Sequence, residues 1–385
     1  MIYFDNAATS FPKPKAVIEA MENYFFNMGG TTGRSGHKMA LEASELVFNT
    51  RESLAQLFNI KDSARIVFTK NVTESLNMAI NGFLIKGDRV ITTSVEHNSV
   101  MRPLRYLEQA GKIKLYVVQA NQAGMVDPAS FEDILKKESI KLVVFSHASN
   151  VTGAVNPIGP ITQIVKSYGS NTLIDAAQTA GAYPVDVEAD GVDMLAFTGH
   201  KALLGPQGTG GLYIREGIEI EPLMRGGTGS NSEREFQPEL MPDRLESGTL
   251  NVIGLAGLGA GVKYVLEHGV VNLRQKEMAL TESFIRNAAK IPDVRLYGPK
   301  DANNRVSVVS LNISGYDPAE IAYILDRDFD IACRPGLHCA PSTHKTIGTF
   351  PQGTVRFAFG PFNNIEEIHT GLTALSHISQ KEGDV

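Results

Sequence analysis

The chain has 385 residues, of which 43% are hydrophobic and 20% are charged, a composition ordinary for a globular protein. Its length favours two domains. The formal net charge of -6 argues against a nucleic-acid-binding role, since contacts with phosphates need a basic face and no basic patch stands out. The first residues show neither a basic segment nor a long apolar run, and no later run reaches the length of a membrane span. We therefore expect a cytoplasmic protein with no membrane partner.

The N-terminal region predicts an arm, a loop and a helix. The polar arm Asp5 to Ser10 precedes the first helical pattern. A loop rich in Gly and Thr, residues 29–36, leads into an amphipathic helix from about Lys38 to Phe58. Arg34 and His37 lie in or beside this loop and have no evident role in a sheet, so we expect an interface between two subunits there.

From residue 65 onward, short apolar runs alternate with helical stretches. The predicted strands are 66–68, 90–92, 115–118, 142–145, 173–174, 194–197 and 211–214, with helices at 73–83 and 99–110 between the first of them. Buried strands spaced by helices predict an α/β fold with a mostly parallel sheet between helices. In such sheets, ligands bind beyond the carboxyl ends of the strands.

After residue 251 the pattern changes to a smaller α+β unit. Helices are predicted at 252–267 and 273–290, strands at 306–311 and 354–358, and a last helix from about residue 365. We predict a large cofactor-binding domain, residues 15–260. Residues 1–14 and 261–385 form the small C-terminal α+β domain.

A lysine and an aspartate at two of the strand ends suit a carbonyl cofactor. Lys201 follows the strand 194–197, and an amine in a partly desolvated pocket forms a Schiff base readily. Alternatively, such a lysine only marks the return of the chain to solvent. Asp175 ends the strand before it and can pair with the ring nitrogen of pyridoxal phosphate, or cap the next helix. Together they favour pyridoxal phosphate.

Other polar residues follow strands of the same sheet. The first-turn amides of the helix at Val72 and Thr73, with the Thr73 hydroxyl, form an anion site or, alternatively, an ordinary threonine cap. His97 can stack on a flat ring or serve a structural role. Asn150 and Gln178 each place an amide where it can bind a carboxylate or a ring oxygen.

Residues 333–341, here called the cysteine loop, hold the only two cysteines, Cys333 and Cys339. Two cysteines are too few for a disulfide scaffold. The two prolines and one glycine of the loop predict that it forms no regular element and exposes Cys339. Cationic neighbours favour a reactive thiolate, and His338 and Arg334 are candidates for that effect. Metal binding by the two cysteines and His338 is the rival interpretation.

Motifs spread over nearly the whole chain carry a resemblance to a known family. They are Asp5-Asn6-Ala7-Ala8, Thr73-Glu74, Glu96-His97, Ser149-Asn150, Asp175-Ala176-Ala177-Gln178, Thr198-Gly199-His200-Lys201, Glu246-Ser247-Gly248-Thr249 and residues 334–340. In this order the set resembles the cysteine desulfurases of the class V aminotransferase family, fold type I pyridoxal-phosphate enzymes. The short cysteine loop resembles the branch with selenocysteine lyases and sulfur-mobilising desulfurases, not the branch with a long Ser/Gly-rich loop.

The resemblance implies a role for each matching residue. Lys201 holds pyridoxal 5'-phosphate, Asp175 pairs with the pyridine nitrogen, Gln178 contacts the ring hydroxyl and His97 stacks on the ring. The phosphate is bound by Val72, Thr73, Thr198 and His200, and Thr228 reaches the phosphate held by a partner subunit. The substrate is bound by Arg356, Asn150, Ala8 and Arg334, and Cys339 accepts the sulfur. Two residues depart from the family pattern: Thr198 stands where serine is usual, and Leu337 where this branch often has a histidine.

We therefore expect a homodimeric cysteine desulfurase that converts L-cysteine into L-alanine and leaves a persulfide on Cys339. The sulfur then passes to an acceptor protein, as in iron–sulfur cluster assembly. One alternative is a selenocysteine lyase acting on L-selenocysteine, or another class V lyase or aminotransferase. A non-catalytic sulfur-trafficking protein is the other, and the intact Lys201, Asp175 and Cys339 argue against it. No resident metal is expected.

Overall fold

A central sheet and a smaller second sheet organise the computed structural model, which describes residues 1–33, 36–230, 233 and 235–380. The strands in chain order are β1 (Ile2–Tyr3), β2 (Ile66–Thr69), β3 (Asp88–Thr93), β4 (Ile113–Val118), β5 (Leu142–Ser146), β6 (Asn171–Asp175), β7 (Met194–Thr198), β8 (Gly210–Ile214), β9 (Val294–Tyr297), β10 (Val308–Ile313), β11 (Ile331–Ala332), β12 (Arg334–Gly336) and β13 (Thr354–Ala358). The α-helices are α1 (Lys15–Asn23), α2 (Lys38–Phe58), α3 (Val72–Phe83), α4 (Asn98–Gln109), α5 (Ala129–Leu135), α6 (Ile158–Ser167), α7 (Val252–His268), α8 (Val270–Ala288), α9 (Pro318–Phe329), α10 (Pro341–Ile347) and α11 (Ile365–Gln380). The described chain also contains a π-helical turn (Tyr24–Met28) and two short 3-10 helices (Ser63–Arg65 and Ala302–Asn304).

The central sheet has seven strands in the order β2-β8-β7-β6-β5-β3-β4. All pairs from β7 to β4 are parallel, and only β8 runs against its neighbours β2 and β7. The predicted α/β fold with a mostly parallel sheet is confirmed. Because β2 and β7 both pair antiparallel with β8, the carboxyl end of β2 lies at the same edge as those of the parallel strands.

Helices cover both faces of this sheet, as the continuous apolar runs require. On β5, Val143 and Phe145 point into the core shared with α2, α6 and α7, whereas Leu142 and Val144 point into the core shared with α3 and α4. The alternation follows from the two-residue period of a strand. A sheet buried on both faces leaves the strand ends as the place for polar side chains.

The second sheet is antiparallel, in the order β12-β13-β10-β9, and packs against α8, α9 and α11. The N-terminal segment joins this unit, because β1 pairs with β11 and Phe4 is completely buried in its core. The domain boundaries at residues 14 and 260 stay a prediction.

Two expectations about this second unit are wrong. The strand predicted at 306–311 begins at Val308, because the Val306 amide first donates to the Gly153 carbonyl at 2.9 Å. The cysteine loop does contain regular structure: β12 pairs with β13, and α10 begins at Pro341. Proline is tolerated on an edge strand and at the first position of a helix, where its missing N–H is not needed.

The carboxyl ends of β2, β3, β5, β6 and β7 share one edge of the central sheet. Each is followed by polar residues, and the second unit places β12 and β13 above that edge. None of the helices in the described parts of the chain combines the length and the apolar character needed to cross a membrane.

Candidate active site

A cavity of about 240 Å³ lies between the strand ends and the cysteine loop. It is lined by thirteen of the predicted site residues, namely Ala8, Val72, Thr73, His97, Asn150, Asp175, Gln178, Thr198, His200, Lys201, Arg334, Arg356 and Cys339. Thr228, the remaining predicted site residue, does not line this cavity. The structure thus brings together residues that are spread over more than three hundred positions of the chain.

Lys201 lies two residues beyond the Thr198–Gly199 turn and is held by the N-terminal arm. Its carbonyl accepts from Ser10 Oγ at 2.9 Å, and the carbonyl of His200 accepts from Lys13 Nζ at 2.8 Å. Burial lowers the pKa of Lys201 from 10.5 to about 8, while Asp175 opposes the shift. The amine is therefore a better nucleophile and base near neutral pH than a lysine in water.

Asp175 ends β6 and is 4% exposed. Its Oδ1 accepts from the Ala177 amide at 2.9 Å, the only hydrogen bond of this carboxylate within the described chain, and burial raises its pKa. The neighbouring Gln178 donates from Nε2 to the Ala7 carbonyl at 3.2 Å. A buried carboxylate that faces a cavity and has no cationic hydrogen-bond partner is suited to pair with a protonated ring nitrogen.

His97 serves two purposes. It is the N-cap of α4, where its Nδ1 accepts from the Ser99 amide at 3.0 Å, and its ring lines the cavity. Burial, with Lys201 and Arg356 next in effect, lowers the pKa of His97 to about 4. The ring is neutral at pH 7, and since Nδ1 accepts, the proton is on Nε2. A flat, neutral imidazole fixed by a cap can stack on a cofactor ring.

The N-terminus of α3 forms the other end of the cavity. The cap is Asn71, whose Oδ1 accepts from the Glu74 amide at 3.0 Å, so the interpretation of Thr73 as an ordinary cap is excluded. Thr73 Oγ1 instead lies 2.7 Å from Ser99 Oγ. Val72 and Thr73 therefore offer first-turn amides and a hydroxyl to an anion.

Thr198 ends β7 and His200 follows it, and both line the cavity. His200 Nδ1 is buried and has no hydrogen-bond partner among the described residues, whereas Thr198 Oγ1 reaches the Thr209 carbonyl only at 3.5 Å. Burial lowers the pKa of His200 to about 4. A buried ring nitrogen without a partner in the described chain is suited to a hydrogen bond with a bound ligand.

Arg356 and Arg334 contribute the cationic side of the cavity. Arg356 is 2% exposed, and its Nη1 donates to the Asn150 carbonyl at 3.1 Å. Both guanidinium groups contact one carboxylate, Asp5, at 2.9 and 3.0 Å. Burial lowers the pKa of Arg356, with Asp5 opposing it. Arg356 Nε is buried without a partner in the described chain, so one strong donor remains for a ligand.

Cys339 projects from the cysteine loop and is exposed, as the sequence predicts. His338 and Cys339 both adopt left-handed backbone conformations, with φ of 50° and 56°, which non-glycine residues adopt only under constraint. Two hydrogen bonds supply that constraint: Asn150 Nδ2 donates to the His338 carbonyl at 2.7 Å, and the Asn98 amide donates to the Cys339 carbonyl at 2.8 Å. The backbone is held while the thiol stays accessible.

The expectation that His338 is a cation beside the thiol is wrong. His338 is 8% exposed, its Nε2 lies 3.0 Å from the Arg334 carbonyl, and its Nδ1 lies 3.4 Å from His344 Nε2. Burial and the nearby Arg356 lower the pKa of His338 to about 3. The imidazole is neutral at pH 7 and stabilises the fold of the loop.

Cys333 lies outside the cavity, against the core of the second unit. Burial raises the pKa of the Cys333 thiol to about 12, which makes it unreactive at neutral pH. No three His, Cys, Asp or Glu side chains of the described ranges are arranged to hold a metal ion.

Three residues of the site were assigned no role from the sequence. Asp5 pairs with both arginines, Ser99 joins His97 to Thr73, and Glu96 accepts from the Ser146 amide at 2.9 Å beneath the cavity floor. Burial raises the pKa of Glu96 to about 7. Two signals were available for Asp5 and Glu96: both belong to motifs of the family resemblance, and each follows an apolar strand pattern, as Asp175 does.

Thr228 lines a separate, open cavity of about 700 Å³, where its hydroxyl donates to the Ser230 carbonyl at 3.3 Å. His37, the second residue expected at an interface, is the N-cap of α2. Arg34 lies outside the described residues.

Comparisons with known proteins agree with this arrangement. The model of the aminotransferase class-V family matches residues 2–370. A probable cysteine desulfurase of Methanothermobacter thermautotrophicus is 38% identical over 95% of this chain and 92% of its own length. Another, of Pyrococcus abyssi, is 34% identical over 98% of this chain and 94% of its own.

A solved structure is similar throughout. The apo structure of the cysteine desulfurase from Thermococcus onnurineus superposes with a TM-score of 0.93 at 34% identity, covering 99% of this chain and 95% of that one. Both the family match and the identity to these relatives extend over nearly all of the chain. The chain belongs to the aminotransferase class-V family.

Proposed function

We propose that this protein is a pyridoxal-phosphate-dependent cysteine desulfurase, which converts L-cysteine into L-alanine and takes up the sulfur on Cys339. One observation carries the proposal: Lys201 from the central sheet and Cys339 from the second unit line the same cavity. The amine has a lowered pKa and the thiol is exposed. An aminotransferase needs only the amine, so the thiol is what favours desulfuration.

The donors around the cavity fit pyridoxal phosphate. The α3 amides, the Thr73 and Thr198 hydroxyls and the unpartnered His200 Nδ1 suit a phosphate group. Asp175 suits a protonated ring nitrogen and His97 a ring face. When bound, this cofactor supplies a carbonyl to the amine and takes up the electrons of a substrate carbanion.

Residues of the chain bind the substrate, remove its Cα proton and pair with the cofactor ring. Arg356 binds the substrate carboxylate through its unpaired Nε, and the Asn150 carbonyl keeps the guanidinium in place. Lys201 Nζ takes the proton from the substrate Cα, for which a pKa of about 8 is well matched to neutral pH. Asp175 stays ionised when a cation lies against it.

Cys339 performs the sulfur step. Its thiolate Sγ attacks the sulfur of bound cysteine, a sulfur–sulfur bond forms, and the carbon–sulfur bond breaks with its electrons passing to carbon. Protonation of that carbon, with return to Cα of the proton that Lys201 removed, gives alanine, so cysteine and a thiol become alanine and a persulfide. The exposed Cys339 can then pass the sulfur to an acceptor protein. A persulfide cycle needs a reducing compartment, which supports a cytoplasmic location.

The test is a panel of L-cysteine, L-selenocysteine and ordinary amino acids, with alanine, sulfide, selenide and keto acid all quantified. We expect alanine and sulfide in equal amounts from cysteine in the presence of a reductant. Keto acid as the main product would identify an aminotransferase instead. Selenide release without activity on cysteine would identify a selenocysteine lyase.

We further propose a homodimer in which Thr228 completes the site of the other subunit. Exposed aromatic side chains support it: Phe25 and Phe26 are 68% and 76% exposed, and Phe48 lines the same open cavity as Thr228. Apolar groups on that scale mark an interaction surface. Mixing a Lys201→Ala subunit with a Thr228→Ala subunit is expected to restore activity in hybrids. No gain on mixing would contradict shared sites.

A further inference from the structure

Asp5 lies between two arginines that stand directly opposite each other in the second sheet. Arg334 on β12 and Arg356 on β13 are register partners, and like charges at such positions repel. Asp5 Oδ1 accepts from Arg356 Nη2 at 2.9 Å, and Asp5 Oδ2 accepts from Arg334 Nε at 3.0 Å. One carboxylate from the N-terminal arm thus offsets the repulsion and fixes both guanidinium groups.

The two arginines differ in what they can offer a ligand. Arg356 is buried against the cavity, and its Nε has no partner among the described residues. The Arg334 side chain is 50% exposed, and both its Nε and its Nη2 lie 3.0 Å from Asp5 Oδ2. Arg356 therefore keeps a donor for one carboxylate, whereas Nε and Nη2 of Arg334 are directed at Asp5.

The net charge of Asp5, Arg334 and Arg356 together suits a ligand with a single carboxylate. Two guanidinium cations and the Asp5 anion leave one net positive charge. The neighbouring His97 and His338 are neutral at pH 7, because burial lowers their pKa values to about 4 and about 3. A second carboxylate on the same ligand would meet Arg334 already paired with Asp5.

We infer that Asp5 determines the charge class of the substrate. It positions Arg356 for the α-carboxylate of an amino acid and occupies the Nε and Nη2 donors of Arg334, so amino acids with an uncharged side chain are accepted and those with a second carboxylate are disfavoured. Asp5 is a positioning residue, since it acts through the arginines. The inference rests on the proposed function, because it concerns the substrate of the same site.

The experiment measures dissociation constants of L-alanine and L-aspartate for the holoenzyme, from the change in cofactor absorption. In Asp5→Asn, Arg334 loses its partner and becomes available to a second carboxylate. We expect the ratio of the aspartate constant to the alanine constant to fall by about tenfold, the scale of one charged hydrogen bond. The double variant Asp5→Asn with Arg334→Gln is expected to lose that gain.

Asp330→Asn is the matched control, because it removes the same charge from an exposed carboxylate that pairs with the N-terminal amine and not with an arginine of the site. Its ratio is expected to stay that of the wild type. Should Asp5→Asn not fold, Arg334→Gln alone is expected to shift the ratio against aspartate by about threefold, since it removes a cation.

An unchanged ratio in Asp5→Asn, or in Arg334→Gln, overturns the inference, because a merely structural Asp5 would weaken both amino acids alike. Failure of the proposed function looks different. In that case the wild-type holoenzyme releases no alanine from cysteine, whatever the ratio in the variants.

Discussion

The cavity has a lysine side and a cysteine side that are built in opposite ways. On the lysine side, Asp175, Thr198 and Lys201 lie at or just beyond the ends of strands in a sheet covered on both faces. Burial shifts the pKa of Asp175 upward and that of Lys201 downward. On the cysteine side, Cys339 is exposed on a turn of a short loop in the second unit. The amine needs desolvation to act, whereas the thiol needs access to both a substrate and an acceptor.

The same difference appears in how each side is fixed. The lysine turn is held through backbone carbonyls by the side chains of Ser10 and Lys13. The cysteine turn is held by two backbone-directed donors from outside the loop, Asn98 and Asn150, which bind the carbonyls of the two residues with positive φ. We expect variants of the lysine side to abolish the chemistry, and variants that loosen the cysteine side to slow one step of it.

The largest effect is expected for Lys201→Ala, with alanine formation falling by about 10⁴-fold, at the upper end of what a positioned general base contributes. Borohydride reduction of the wild-type holoenzyme, followed by peptide mapping, is expected to label Lys201. Lys13 is the matched control, since burial lowers its pKa to about 8 as well. A label on Lys13, or none, would refute the assignment.

The next effect is a pH dependence of cofactor attachment to Lys201. Only the unprotonated amine attacks a carbonyl, and burial lowers the pKa of Lys201 from 10.5 to about 8. The attachment rate of the apoprotein is therefore expected to be constant above pH 8 and to fall about tenfold per unit below it. Stopped-flow absorbance measures it. A rate still rising steeply at pH 10 would show an unshifted lysine.

Arg356→Gln is expected to raise KM for cysteine by about 10- to 100-fold, the cost of losing a charge-assisted hydrogen bond to a carboxylate. Cofactor content, read from absorbance, is expected to change little, because Arg356 contacts Asp5 and Asn150 and not the α3 end of the cavity. An unchanged KM would point to another anchor for the carboxylate.

The smallest effect is expected for Asn150→Ala. Its amide donates to the His338 carbonyl, so its loss loosens the turn that presents Cys339. The loss of one neutral hydrogen bond is expected to slow persulfide formation by about three- to tenfold. Single-turnover kinetics are expected to show this loss in persulfide formation, with cysteine binding altered less. A loss confined to cysteine binding would return Asn150 to the role of a carboxylate ligand only.

The sequence predicted the lysine side better than the cysteine side, for a physical reason. Strand ends and the α2 helix at Lys38–Phe58 are set by local periodicity, and residues at the ends of parallel strands converge without further information. The predicted cavity residues at those strand ends were therefore foreseeable, whereas the roles of Ala8, Arg334 and Arg356 came from the family resemblance. Thr228 was assigned to a partner subunit, and a single chain does not test that role.

The cysteine side depends on contacts that no local pattern encodes. Asp5 is 329 and 351 residues away in sequence from the two arginines it pairs with. The neutral state of His338 follows from burial against the second unit. The proline of β12 is tolerated because β12 lies at the edge of its sheet. Each of these required the assembled fold.

The most direct test of the account is the location of the persulfide. The holoenzyme is treated with L-cysteine without reductant, its free thiols and persulfides are alkylated, and its cysteine peptides are analysed by mass spectrometry. We expect one additional sulfur atom on Cys339 and none on Cys333, with one alanine released per persulfide and no persulfide in Cys339→Ser. Sulfide release by Cys339→Ser at the wild-type rate would contradict the mechanism and identify a simple β-elimination lyase.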